Sequence, residues 1–253
     1  MGPGESEDRL MELLGEVGRW FADPVHWSGP AGIPARLIEH IQISALSVGA
    51  GTAVALPVGL FIGHTRRAQF LVVSVANLGR AVPSFAILAI AFPFSIRLGL
   101  GLGFWPTVTA LFLLAIPPIL TNTYVGVQTA DPDTVEAARG MGMSGREVLF
   151  KLEIPLAAPL IAAGLRTAFV QVIATATLAA LFAWGGLGRF IIDGFATRDE
   201  PQIVAGAVLV AVLALGAELG LGILEKVVSP RTSSTERRKT PKPGVEEVAA
   251  GAA

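Results

Sequence analysis

Residues 41–63 read IQISALSVGAGTAVALPVGLFIG, a run with no charged side chain from end to end. A helix crossing a bilayer needs about 20 consecutive apolar residues, and its backbone groups must bond one another because lipid offers no water. This run is long enough. Four further stretches meet the same test, residues 69–92, 104–127, 157–184 and 202–228. All are rich in Ala, Leu, Val and Gly, and small residues permit close helix packing in lipid. The chain has 253 residues, of which 52% are apolar and 15% charged, with a mean hydropathy of +0.62. A soluble domain would carry roughly a quarter charged residues. The expected fold class is an all-α membrane protein, a multi-pass bundle with five core transmembrane helices.

Composition also excludes function classes. The net charge of −1 gives no argument for a nucleic-acid partner, and the absence of cysteine rules out disulfides, thiol catalysis and Cys-based metal sites. His26, His40 and His64 are scattered and read as surface or interface residues, so no metal site is expected. Residues 1–8 are acidic and lack the basic and apolar regions of a cleaved signal peptide, which leaves insertion to the spans themselves.

Basic loops stay in the cytoplasm. With the N-terminus outside, segments 64–68, 128–156 and 229–253, with Lys226 at their edge, hold eleven Lys and Arg against six in the outer segments. That count favours an N-terminus outside and a C-terminus in the cytoplasm, in the cell inner (plasma) membrane. The organisation is then an extracytoplasmic or interfacial segment (1–40), a transmembrane domain (41–228), and a tail (229–253) rich in Ser, Thr, Pro, Arg and Lys that reads as disordered. In the first segment Leu10, Leu13, Leu14, Val17, Trp20 and Phe21 recur at helical spacing. Two readings fit them equally: an amphipathic helix in the outer interface, or a packed preamble to the first span.

One loop is long, polar and organised. Residues 129–155 read TADPDTVEAARGMGMSGREVLFKLEIP. Asp131 can cap a helix whose first position is Pro132. Gly140 and Gly142 can break that helix and allow a sharp turn. Ser144 and Glu147 form a Ser-x-x-Glu capping box that starts a second short helix, and Pro155 is expected to end it before the fourth span. Two short helices joined by a glycine elbow, projecting from a bundle, can dock a soluble partner.

This segment resembles the EAA loop of binding-protein-dependent importer permeases: EAA, three residues, Gly, nine residues, then I-x-L-P. The present chain has Glu136-Ala137-Ala138, Gly142 and Leu152-x-Ile154-Pro155, with the two aliphatic residues exchanged. The resemblance implies the MetI-like fold of type I ABC importer permeases. It also implies that Glu136, Ala137, Ala138, Gly140, Gly142 and Pro155 belong to an element that seats in a cytoplasmic ABC ATPase dimer. ATP and Mg would be bound by that partner, since nothing here resembles a phosphate-cradling Gly-x-x-x-x-Gly-Lys-Ser/Thr loop. No cofactor would be bound by this chain, which would be a transport subunit and not an enzyme. The other implied partners are an extracytoplasmic substrate-binding protein and a second permease, identical or homologous.

A narrower resemblance, to permeases for glycine betaine, carnitine and choline, rests on NLGRAVPSFAIL (77–88), PPILTNTY (117–124), GLRT (164–167) and ATATLAALFAWGGLG (174–188). It implies an osmoprotectant as solute. Phe182, Ala183 and Trp184 depart from the smaller, glycine-containing stretch of that family. Methionine permeases share the loop and a GGLG-like segment and supply the alternative solute.

Intramembrane polar groups supply the pore-lining candidates. Thr167, Gln171 and Thr175 lie four residues apart on one face of the fourth span, to line a pore or to bond between helices. Arg80 lies mid-span, where a charge costs about 2.5–3.5 kcal/mol on insertion scales. Pro83 should kink or break that helix. Together they suggest a discontinuous helix beside water, or an arginine satisfied by carbonyls at the kink. Arg166 is nearer a span end and is expected to snorkel. An ion-coupled secondary transporter is the competing class. It would need intramembrane carboxylates, for which only Glu218 and an interfacial Glu225 are available.

Overall fold

The computed structural model describes residues 3–228; the side chains of residues 3, 4, 73, 78, 80, 227 and 228 lie outside its described part. Every described element is helical. The chain runs α1 (Pro3–Ala22), α2 (Ile33–Thr65), α3 (Gln69–Ala81), α4 (Ser84–Arg97), α5 (Phe104–Gln128), α6 (Pro132–Gly140), α7 (Gly145–Val148), α8 (Ile154–Ala176), α9 (Gly188–Thr197) and α10 (Glu200–Val228). Four apolar helical runs among the described residues are long enough to cross a bilayer: Ile33–Thr65, Phe104–Gln128, Gly145–Phe182 and Glu200–Lys226. The remaining stretch, 69–92, is broken into α3 and α4. Pro83 stands at the N-cap of α4 with φ −63° and ψ 129°. Proline lacks the N–H that would continue α3, and it drives the preceding residue out of the α region. Each half is about 20 Å long at 1.5 Å per residue, too short to span alone.

Small residues set the centre of the bundle. On α2, Gly51, Ala55, Gly59 and Gly63 recur every four residues and are buried. A Cβ on Gly51 would lie 2.9 Å from Ala115 Cβ, one on Gly59 2.8 Å from Thr123 Cβ, and one on Gly63 2.7 Å from Val127 Cβ. Their absence lets the backbones of α2 and α5 meet. Gly126 of α5 approaches Ala157 of α8 in the same way, and Gly164 of α8 approaches Asn122. Around these seams Ile43, Leu111, Ile119, Ala168 and Val172 form the buried core.

At the end of the bundle where α2 begins, a polar anchor holds the Gly185–Gly186 turn. Glu39 Oε2 accepts from the Gly186 amide at 2.8 Å and from Arg36 at 2.9 Å. His40 is 1% exposed. Its Nδ1 accepts from the Leu187 amide at 3.2 Å and its Nε2 faces the Ile173 carbonyl at 2.9 Å. The ring therefore carries its proton on Nε2. The surface position expected of His40 is wrong, because two backbone groups complete its hydrogen bonding inside the bundle. The neighbouring aromatic side chains pack against the bundle. Phe182 packs between Phe85 and Phe92, with ring centroids 5.7 and 5.4 Å away, and Trp184 lies 5.0 Å from Phe104. Ala183 takes φ 62°, a left-handed position that glycine adopts without steric cost.

Two other expectations meet the structure. Val17 and Trp20 of α1 are buried with Ile33, Leu187, Phe190 and Ala205, so α1 is packed on the bundle, while Leu10 and Leu14 stay exposed. Arg166 is held by α10. It pairs with Glu218 at 2.8 Å and with Glu225 at 3.2 Å, both on α10.

The α2–α5 seam makes a clear expectation within one helix. Gly59→Leu should destabilise the purified chain by about 1–3 kcal/mol through overpacking. Gly49→Leu, whose Cβ meets nothing within 4 Å, should leave thermal unfolding in detergent unchanged. Equal effects at both positions would count against the seam.

Candidate coupling loop and translocation cleft

The loop between α5 and α8 is a small folded unit. Asp131 caps α6 by accepting from the Asp133 amide at 3.0 Å, and Pro132 fills the first helical position. At the other end the Met141 and Met143 amides return to Ala137 and Ala138 oxygens at 3.0 and 3.1 Å. Gly142 makes the turn with φ 91°, a conformation that strains any residue with a Cβ. Gly140 is simply the last residue of α6, so the elbow belongs to Gly142 alone. Ser144 and Glu147 complete the capping box: the Glu147 amide donates to Ser144 Oγ at 3.4 Å and the Ser144 amide to Glu147 Oε2 at 3.0 Å. Lys151 adds a 2.8 Å ion pair. The Lys151 ammonium and the Ser144 donors lower the Glu147 carboxyl from 4.5 to about 2. A depressed carboxylate stabilises above its unfolded pKa, so this cap is intact at neutral pH and is lost only as pH falls toward about 2.

The expected role of Pro155 as a helix terminator is overturned. After α7 the chain passes through a π-helical segment, Leu149–Glu153, and enters α8 with Pro155 in its first turn. A proline removes one backbone donor and crowds the preceding turn. The wider π turn accommodates this without a break, and such turns are frequent at functional sites.

The unit has an inner and an outer face. Ala130, Val135, Ala138 and Val148 are buried together, with Met143 and Leu152 against them. Glu136, Ala137, Gly140, Gly142 and Pro155 are exposed, as is Met141 at 78%. The Glu-Ala-Ala triplet is therefore divided, Glu136 and Ala137 facing outward while Ala138 packs inward.

Midway along the bundle, Thr167 and Gln171 of α8 line a half-open cleft of about 240 Å³ with Thr121 and Asn122 of α5 and Gly79 of α3. Thr167 donates to the Ala163 carbonyl of its own helix at 2.9 Å, and Asn122 to that of Pro118 at 2.8 Å. Among the described residues, neither bonds across helices. Thr175 is half-buried and lies outside the cleft lining. Pro83 is exposed at the break, and the side chain of Arg80 lies outside the described residues. Thr121 and Asn122 sit within the PPILTNTY run but carry no periodic signal of their own, because α5 is apolar on most faces.

Residues 55–234 match the family described as binding-protein-dependent transport system inner membrane component. The chain belongs to that family. It is an inner-membrane transport subunit, the permease of an ABC importer, a class that works with an ATPase and a binding protein. Among curated relatives it is 40% identical over 193 residues to the carnitine transport permease protein OpuCB of Listeria monocytogenes, covering 76% of this chain and 86% of that one. It is 36% identical over 192 residues to the choline transport system permease protein OpuBB of Bacillus subtilis, covering 76% and 86%. It is 34% identical over 211 residues to the osmoprotectant import permease protein OsmW of Salmonella typhimurium, covering 83% and 98%. Among solved structures, the inward-facing MetNI methionine ABC transporter superposes with a TM-score of 0.68 at 20% identity, covering 76% of this chain and 94% of that one. That match establishes the MetI-like fold of the permease.

The loop geometry separates its two glycines experimentally. Gly142→Ala should cost about 1–3 kcal/mol of local stability through its left-handed backbone and speed amide exchange across 132–148. Gly140→Ala should not.

Proposed function

We propose that this permease translocates a small osmoprotectant of the glycine betaine, choline or carnitine type, delivered by an extracytoplasmic binding protein. The carrying observation is the set of relatives at 34–40% identity whose names specify carnitine, choline or an osmoprotectant. The methionine importer is only 20% identical and speaks to fold alone. An ion-coupled mechanism is disfavoured because Glu218 and Glu225 are both engaged by Arg166.

Energy enters through the loop. Residues 128–156 face the cytoplasm with the C-terminus, the N-terminus lies outside, and the outward face of α6 seats in a cytoplasmic ATPase dimer that binds ATP and Mg. Exposed Glu136 offers an acceptor to a basic group there, Ala137 and Gly140 permit close approach, and Gly142, Ala138 and Pro155 hold the unit's shape. A second permease, identical or homologous, closes the open side of the cleft. Thr167 and Gln171, with Thr121 and Asn122, then form a neutral polar lining suited to a zwitterion or small cation. Arg80, Pro83 and Thr175 flank that path at the broken helix and farther along α8.

Three measurements check this reading. Glu136→Ala should lower solute uptake by about tenfold, the order of a lost charge-assisted hydrogen bond, with normal membrane insertion; unchanged uptake removes the role. Ser144→Cys, placed in a chain without other thiols, should react with a membrane-impermeant maleimide only from the cytoplasmic face, and labelling from outside overturns the orientation. Gln171→Leu should depress transport while leaving ATPase recovery intact; wild-type transport would take the cleft out of the pathway.

A further inference from the structure

The loop unit touches the bundle in a place the motif does not mark. Glu153, the last residue of the π segment, is 5% exposed. Its Oε2 lies 2.6 Å from Nδ1 of His64, which sits in the last turn of α2, 89 positions away in sequence. A Cβ on Gly145, at the start of α7, would stand 3.5 Å from Nε2 of the same imidazole. The ring is thus held between the first residue of α7 and the carboxylate that closes the π turn.

Burial makes this contact consequential. A carboxylate withdrawn from water requires a partner, and removing the partner costs the desolvation of the group left behind. The α6–α7 unit is packed as one body, because Val135, Ala138 and Val148 hold its helices together. It is covalently continuous with α5 and α8, whereas it meets α2 by side-chain contact at His64. The helix α2 is in turn keyed to α5 through Gly59 and Gly63.

We propose that His64 and Glu153 are a positioning pair that transmits displacement of the loop unit to α2, and so across the α2–α5 seam to α5, which lines the cleft. The inference rests on the reading that the loop docks an ATPase. Neither residue contacts the solute or the nucleotide. Their part is to make α2 and α8 respond together when the unit is pushed. Without the pair, α8 would follow the loop directly, while α2 would be driven only through its seam with α5.

The test uses the full complex of permease, ATPase and binding protein, reconstituted in liposomes. Uptake of the transported solute, basal ATP hydrolysis and hydrolysis stimulated by loaded binding protein are measured separately. His64→Ala and Glu153→Ala should each reduce uptake and stimulation by about tenfold, within the usual range of coupling between sites. Basal hydrolysis and ATPase recovery should stay at wild-type levels. Glu153→Gln, which keeps an acceptor for Nδ1–H, should restore most of the stimulation. The double alanine variant should be no worse than either single one, because both remove the same link. As a check independent of alanine effects on folding, His64→Cys with Glu153→Cys should be uncoupled when reduced. Bridging the thiols with a short bifunctional reagent should then restore uptake. Normal stimulation in either alanine variant, multiplicative losses in the double variant, or no rescue on bridging would overturn the pair's role. Loss of the ATPase from the variants alone would also overturn it, making the contact an assembly determinant. Failure of any ATPase to remain with the wild-type permease would instead sink the docking reading itself.

Discussion

Close backbone approach between α2 and α5 is the constraint on which this permease depends. In lipid an apolar side chain gains little by touching another helix instead of an acyl chain, so association relies on packing at short range. The stripe Gly51, Ala55, Gly59 and Gly63 provides it, with Thr123 and Val127 opposite. Because α2 is a single helix about 50 Å long by its rise per residue, this one seam also places features at both ends. His40 and Glu39 are carried to the Gly185–Gly186 turn, and His64 is carried to the loop unit.

Some polar groups within the bundle are tied up in structural contacts, and others open into the cleft. Arg166 pairs with two glutamates of α10, and His40 bonds two backbone groups. These contacts hold elements together and are unavailable to a solute. Thr121, Gln171 and the remaining capacity of Asn122 and Thr167 open instead into the half-closed cleft. Intramembrane polarity that is not spent on structure is the expected mark of a pathway.

The loop shows the same economy on a smaller scale. A few buried side chains, two caps and one left-handed glycine make a rigid projection from about two dozen residues. The π segment lets Pro155 sit at the mouth of α8 without interrupting the helix. Elsewhere in the bundle, Phe182 packs against Phe85 and Phe92, and Trp184 against Phe104.

Local features of this protein were legible in the amino-acid order. The apolar runs, the break at Pro83, the Asp131 cap, the Ser144–Glu147 box and the turn at Gly142 each follow from backbone chemistry acting over a few residues. The motif spacing was equally local. Only tertiary structure decided which way each face points, since a helix that is apolar all round carries no azimuthal signal. Hence His40 proved buried, Ala138 turned inward from Glu136, Thr175 fell outside the cleft, and Arg166 found Glu218. Glu153 meeting His64 belongs to the same class. A partner 89 positions away is brought near by helix packing, and nothing in the neighbouring residues records it.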